Sequence, residues 1–187
     1  MLARVNTHLA LKATADFLRD KSAYLEREVA LRTLEVQAIQ DVTIMAMTSL
    51  AETRDNETGN HIRRTQLYVK ALAERLRNHP RFEAVLNERM IELLYKSAPL
   101  HDIGKIGIPD SILLKPGKLT VEEFEVMKTH TTLGRKAIED AERRLGMRVA
   151  FLSVSKEIAY SHQEKWDGSG YPQGLAGDQI PVSAHLM

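Results

Sequence analysis

Apolar side chains recur every seven residues between positions 11 and 50, a stretch without glycine or proline. This heptad pattern predicts one long helix with an apolar stripe of the kind that pairs two helices in a coiled coil. At 1.5 Å per residue the helix would be roughly 60 Å long, too long to be covered by its own small domain. We therefore expect a homodimer formed through this helix, the alternative being a single helix packed on a neighbour. The stripe has two rows, in which Arg32 and Ser22 interrupt the apolar pattern and could weaken the coil or fix its register. The rows are Leu11, Leu18, Leu25, Arg32, Ile39 and Ala46, and Ala15, Ser22, Val29, Val36, Thr43 and Leu50.

After Glu52 the pattern changes to turn-forming residues, followed by shorter amphipathic segments. Asn78, His79 and Pro80 end the first of these segments, and no alternating run of strand type competes with the helical pattern. The predicted fold class is all-α, with a long heptad-patterned helix over 1–51 and a helical bundle over 52–187. Predicted helices of the bundle cover 62–76, 83–100, 120–144 and 147–161.

The composition of the chain argues against some classes of binding partner and excludes metal sites that use cysteine ligands. The 26 Lys and Arg nearly balance the 25 Asp and Glu, and no long block of one charge occurs, which argues against binding to nucleic-acid polymers or anionic membranes. No apolar stretch reaches the roughly 18 residues of a membrane span, so we expect a cytoplasmic protein. Because the chain has no cysteine, any metal must be held by His, Asp and Glu.

Four of the seven histidines lie beside other groups capable of chemistry: His61, His101, His130 and His162. They form no local HxxxH or HExxH pair, so a metal site would have to be assembled from separate helices of a bundle. Taken singly, each histidine is better explained by a structural role, and we assign that role to His8, His79 and His185.

The segment HDIGK, residues 101–105, places an imidazole beside a carboxylate at a predicted helix end, with Gly104 as the expected helix stop. A carboxylate such as Asp102 can bridge two cations, and Lys105 could then offer its charge to a phosphoryl oxygen. The alternative is that Asp102 caps a neighbouring element and that Lys105 is solvated.

A second unusual segment, SHQEKWDGSGYP, contains the only tryptophan, Trp166, and begins a glycine-rich window. Glycine permits left-handed backbone and close approach of chains, so the cluster predicts a shaped loop. Together with HDIGK, and with ETGNHIRR, THTTLG and WDGSGYPQGLAGDQIP in this order, the segment resembles the HD-GYP family. These are the cyclic di-GMP phosphodiesterases of the HD metal-dependent phosphohydrolase superfamily. The resemblance covers the chain from Thr53 to the C-terminus.

The resemblance implies a site, residue by residue. His61, His101, Asp102, His130 and His162 match the family's metal ligands, with Asp102 as the bridge. Glu57 matches a residue that helps to hold a third metal in some members. Lys105 matches a lysine that contacts phosphate, and Arg64 a motif arginine near the site, although a surface salt bridge explains Arg64 equally well. The GYP triplet is Gly170, Tyr171 and Pro172, expected at the rim where substrate enters.

Two departures from the family pattern qualify this expectation. Many members carry a second histidine where this chain has Gln163, and an amide is a poor ligand beside an imidazole, which favours two metal ions over three. The family also has an aspartate ligand and substrate-binding basic residues just beyond the helix that starts at SAHLM, where this sequence stops. We therefore expect a domain truncated at its C-terminus and weak or absent turnover by this chain alone.

The implied function is hydrolysis of cyclic di-GMP to pGpG or GMP, with two divalent ions activating a water; Fe, Mn, Ni and Zn all suit these ligands. The segment LARVNTHLALK resembles the last helix of a receiver domain, as in response regulators, or it is simply the start of the coil. One alternative is a non-catalytic module that dimerises and docks a diguanylate cyclase domain through the loop around Tyr171. Another is a different cyclic dinucleotide as substrate.

Overall fold

The computed structural model of the protein describes residues 2–54 and 60–187. Its first element, α1, is one uninterrupted helix over Leu2–Glu52, as the heptad pattern predicts. The chain divides after Thr43 into two compact units, so the last turns of α1 belong to the second unit. Among the described residues, no helix is both long and apolar enough to cross a bilayer. The domain boundary placed between residues 51 and 52 stays a prediction.

The second unit consists of short and medium helices, and the described residues form no strand, which confirms the all-α class. Its α-helices are α2 (His61–Leu76), α3 (Glu88–Ser97), α4 (Asp110–Leu113), α5 (Val121–Leu145), α6 (Ala150–Ser161) and α7 (Val182–His185). Short 3₁₀ helices lie at Ala98–Leu100, Ile103–Gly107 and Gly177–Gln179.

The core of this unit lies where α2, α3 and α6 pack together. Fully buried aliphatic side chains fill it, including Val69 of α2, Leu94 of α3 and Ile158 of α6. Removing such side chains from water is the main stabilising contribution to a helical bundle of this size. The longer helix α5 packs against α6 and against the 3₁₀ helix Ile103–Gly107, so the segment that follows His101 and Asp102 lies on α5.

The helix predicted over 83–100 was wrong at both ends. Residues 81–85 form turns, and α3 begins only at Glu88 because the side chain of Asn87 accepts a hydrogen bond from the Met90 amide at 2.9 Å. The helix ends at Ser97, and the next turn, which contains Pro99, is a 3₁₀ helix. The start of α5 agrees with the prediction to one residue, because Thr120 and Glu123 form a reciprocal capping box.

Gly104 does not stop a helix as predicted, since it lies inside the 3₁₀ helix Ile103–Gly107. A Cβ atom at this position would come within 1.9 Å of the His130 carbonyl oxygen and 2.5 Å of the Gly134 amide nitrogen. Only glycine therefore lets this turn lie directly on α5. The close approach brings the residues that precede Gly104, including Asp102, next to His130.

Candidate metal centre

Four histidines and one aspartate from separate elements converge on one point of the second unit. His130 lies on α5 with 2% of its surface exposed, and His162 follows directly after α6. His101 and Asp102 occupy the turn between two 3₁₀ helices, and His61 is the first residue of α2. The packing of α2, α5 and α6 around this turn is what joins residues up to 101 positions apart, from His61 to His162.

Two of the histidines, His130 and His162, contact the Oδ1 atom of Asp102; we call this the first side of the cluster. The Nε2 atoms of His130 and His162 lie 3.3 and 3.4 Å from this oxygen. The two nitrogens are themselves only 3.2 Å apart. These three atoms lie within 4.8 Å of one another, the spacing of ligands around a single cation.

The hydrogen bonds of the imidazoles fix which nitrogen carries the proton. The Nδ1 atom of His130 lies 2.8 Å from the Met127 carbonyl, and that of His162 lies 3.1 Å from the Ile158 carbonyl. A carbonyl can only accept, so each Nδ1 must donate, and the Nε2 of each neutral ring carries a lone pair. Two lone pairs and a carboxylate oxygen therefore face one another.

The other side of the cluster is built on the Oδ2 atom of Asp102. The Nε2 atom of His101 lies 3.1 Å and the Nζ atom of Lys105 lies 2.8 Å from this oxygen. His101 Nδ1 contacts the Ala98 carbonyl at 2.9 Å, the same arrangement as in His130 and His162. The ring of His61 lies 5.9 Å from that of His101, so His61 also borders the cluster.

Burial and neighbouring charges shift the pKa values of Asp102 and His101 in opposite directions. Burial raises the pKa of Asp102, but the hydrogen bond and charge of His101 and the charge of Lys105 act in the opposite direction, and this pKa lies well below its ordinary value. Burial lowers the pKa of His101, but the contact with Asp102 more than compensates, so this pKa is raised. Burial dominates in His130, whose pKa is lowered. A charged carboxylate and a neutral His130 are the forms that bind metal.

The donor set fits a divalent cation. Within the described part of the chain, no hydrogen bond satisfies Asp102 Oδ1, although this oxygen is buried. An orphaned buried carboxylate oxygen is costly unless a positive charge lies beside it. A cation bound between Oδ1 and the two Nε2 atoms would give the buried oxygen a positively charged partner. The same cation would remove the repulsion between the two nitrogen lone pairs. Imidazole and carboxylate together suit Zn, Fe, Mn or Ni, and the carbonyl contacts at each Nδ1 are the usual outer support of such ligands.

Tyr171 of the glycine-rich loop lies beside this cluster. Its ring meets that of His130 edge to face, with 6.2 Å between centroids, and meets the ring of Phe124 in the same way at 6.0 Å. Burial raises the pKa of Tyr171, and the charge of Asp102 raises it further, so the hydroxyl remains protonated at neutral pH. The loop thus forms one wall of the cluster.

Glu164 holds this loop in shape, a role that its sequence context did not indicate. Its two carboxylate oxygens accept hydrogen bonds from the backbone amides of Gln173 and Leu175, at 2.7 and 2.9 Å. The loop therefore closes on the segment that follows His162. The closure is tight, since a Cβ at Gly170 would lie 2.3 Å from the Lys165 amide nitrogen.

The structure gives no contact with the cluster for two predicted site residues, Glu57 and Arg64, for different reasons. Glu57 lies outside the described residues. The side chain of Arg64 is exposed on α2 and, within residues 2–54 and 60–187, forms no hydrogen bond or ion pair with the cluster. Of the three histidines assigned to structural roles, His185 contacts the Gly177 carbonyl at 3.1 Å.

Comparison with known proteins gives the family. The HD domain family model matches residues 45–187. A probable cyclic di-GMP phosphodiesterase of Vibrio cholerae is 55% identical over 185 residues, 99% of this chain and 42% of the relative. A cyclic di-GMP phosphodiesterase of the same organism is 60% identical over 153 residues, 82% of this chain and 31% of the relative. A cyclic di-GMP phosphodiesterase response regulator of Xanthomonas campestris is 35% identical over 185 residues, 99% of this chain and 45% of the relative.

The chain spans less than half the length of these curated relatives. The family match covers the whole HD segment, the converging histidines and the GYP loop. The chain therefore belongs to the HD domain family, in its HD-GYP branch.

Proposed function

We propose that the protein is a metal-dependent phosphodiesterase that hydrolyses cyclic di-GMP, opening the ring to pGpG. The observation that carries the proposal is the convergence of the His130 and His162 lone pairs on a buried oxygen of Asp102. The names of the relatives support the substrate.

The two oxygens of Asp102 face different partners, which supports a pair of ions with this carboxylate as the bridge. His130 and His162 would hold one ion together with Oδ1. His101 and His61 would hold the second together with Oδ2. Glu57 remains a predicted further ligand.

Two divalent ions at such a centre lower the pKa of a water and polarise a phosphoryl oxygen. The chain's own residues supply the rest. Lys105, with 18% of its side chain exposed, places an ammonium beside the bridging carboxylate, where negative charge on a phosphodiester can be stabilised. Tyr171 limits access from the loop side and offers a protonated hydroxyl. The neighbouring Gly170 and Pro172 and the motif residue Arg64 stay predicted substrate contacts.

The function is tested by incubating the protein with Mn²⁺ and cyclic di-GMP and following pGpG and GMP by chromatography. Cyclic GMP-AMP is the parallel substrate, because a metal centre recognises the phosphodiester that both compounds share. The assay is run on this chain and on a chain that continues beyond residue 187; we expect metal-dependent hydrolysis that chelator abolishes, faster in the longer chain, with cyclic di-GMP as the faster substrate. Faster hydrolysis of cyclic GMP-AMP would contradict the substrate assignment.

The non-catalytic alternative, in which the loop around Tyr171 docks a diguanylate cyclase domain, is decided by the same assay. Full metal occupancy without turnover of either dinucleotide, in the longer chain as well, would favour docking over catalysis.

We further propose that the protein is a homodimer through α1, within a response regulator such as the Xanthomonas campestris relative. The heptad residues of α1 remain exposed, among them Leu18 (58%), Val29 (64%) and Ile39 (61%). A second copy is the occupant that fits, because the stripe keeps one register over its whole length. A receiver domain preceding α1 also stays a prediction.

Introducing charge into the stripe should dissociate the dimer. Leu25 and Val29 occupy adjacent positions of the two rows, and the double substitution Leu25→Glu with Val29→Glu would bury unpaired charges in the interface. We expect a monomer by sedimentation velocity. The control is Leu34→Glu, at an equally exposed residue on the opposite side of the helix, which should leave the dimer intact. A wild-type protein that is monomeric at all concentrations would contradict the proposal.

A further inference from the structure

Arg54, two residues after the end of α1, contacts the segment that follows Lys105. Its guanidinium donates hydrogen bonds to the carbonyls of Ile106 and Ile108, the latter at 3.2 Å, and pairs with Asp110 at 2.5 Å. These partners lie 52 to 56 residues away in the chain. The side chain is 35% exposed, so the contacts are made partly out of water.

The three acceptors follow directly after Lys105. Ile106 is in the 3₁₀ helix Ile103–Gly107, and Ile108, which is 1% exposed, ends it. Backbone hydrogen bonds connect this turn to the metal centre, since the Lys105 amide donates to the Asp102 carbonyl and the Ile108 amide to the Lys105 carbonyl. The turn rests on α5 through Gly104 and is fixed at its other end by Arg54.

We propose that Arg54 is a positioning residue for the reaction: by fixing the end of this turn, it places the Lys105 ammonium beside Asp102. The inference rests on the proposed function, because Lys105 has a catalytic task only if a phosphodiester binds there. Arginine suits this position because its planar guanidinium spreads its donors widely enough to face two carbonyls and a carboxylate, whereas the donors of an ammonium all radiate from one nitrogen atom.

Amide hydrogen exchange tests the contact without depending on turnover. In Arg54→Ala, we expect exchange at Lys105 and Ile108 to accelerate by about tenfold or more, because charged hydrogen bonds are lost. Arg54→Lys should behave similarly, which keeps the test available if the alanine variant does not fold. The matched control is Arg135→Ala, which removes a guanidinium that is 44% exposed and paired with Glu139. Unchanged exchange in both Arg54 variants would overturn the proposal.

Kinetics then tests whether Arg54 acts through Lys105. We expect kcat of Arg54→Ala to fall roughly 10- to 100-fold with little change in KM and full metal content. In a Lys105→Ala background, the same substitution should cause little further loss. Additive losses would overturn the positioning role. Absence of turnover both in this chain and in a chain that continues beyond residue 187 would instead refute the proposed function, and the exchange experiment would still decide whether Arg54 fixes the turn.

Discussion

Asp102→Asn should remove bound metal and abolish turnover together. The amide keeps the shape of the carboxylate but loses its charge, and one of its two oxygens becomes an NH₂ group that cannot ligate a cation. The side that faces His130 and His162, or the side that faces His101, then loses its shared ligand. Metal content measured by inductively coupled plasma mass spectrometry should fall from about two ions per chain to less than one.

A matched control tests whether the effect comes from Asp102 itself or from the loss of any negative charge. Asp140→Asn removes a carboxylate on α5 that pairs with Arg143 at 3.1 Å, outside the cluster. This variant should keep its metal and its rate. Circular dichroism of both variants should show the helical content of the wild type. An Asp102→Asn protein that retains metal and activity would refute the bridging role.

Lys105→Ala should leave the metal in place and slow the chemical step. The ammonium contacts the same carboxylate oxygen as His101 but is no ligand, so its loss removes charge stabilisation only. Removing one such group from a preorganised site lowers kcat by roughly 10²- to 10³-fold. Single-turnover hydrolysis and metal analysis on the same sample measure the two effects.

Lys96→Ala is the control for this substitution. Lys96 pairs with Glu92 on α3 at 2.9 Å, and its side chain is 18% exposed, the same fraction as in Lys105. Its replacement should leave kcat unchanged. If Lys105→Ala lost metal to the same degree as Asp102→Asn, the lysine would be supporting the ligands instead of the substrate.

Periodicity was sufficient to predict the long helix, whereas motif order named candidate ligands whose roles stay predictions. The heptad over residues 11–50 predicts α1 because a repeat of seven without glycine or proline fits few other structures. The convergence of His130 and His162 could not follow from spacing, because it depends on how α5 and α6 pack. The family resemblance supplied that information.

Residues that act through the backbone were the ones that sequence reasoning missed. Arg54 binds carbonyls more than fifty residues away, and Glu164 binds two amides of its own loop. Neither contact can be predicted from the sequence, because nothing in the sequence distinguishes these half-buried side chains from an ordinary exposed arginine or glutamate. Gly104 was noticed but misinterpreted, since a glycine near a helix end suggests a stop, whereas here it permits contact with α5.

The central claim is that His130, His162 and Asp102 surround one cation, and anomalous diffraction tests it most directly. Crystals grown with Zn²⁺ and measured on both sides of the zinc absorption edge locate the ion without reference to activity. We predict a peak about 2.0–2.2 Å from both Nε2 atoms and from Oδ1 of Asp102. Zinc bound elsewhere, with no anomalous density between these three atoms, would contradict the account.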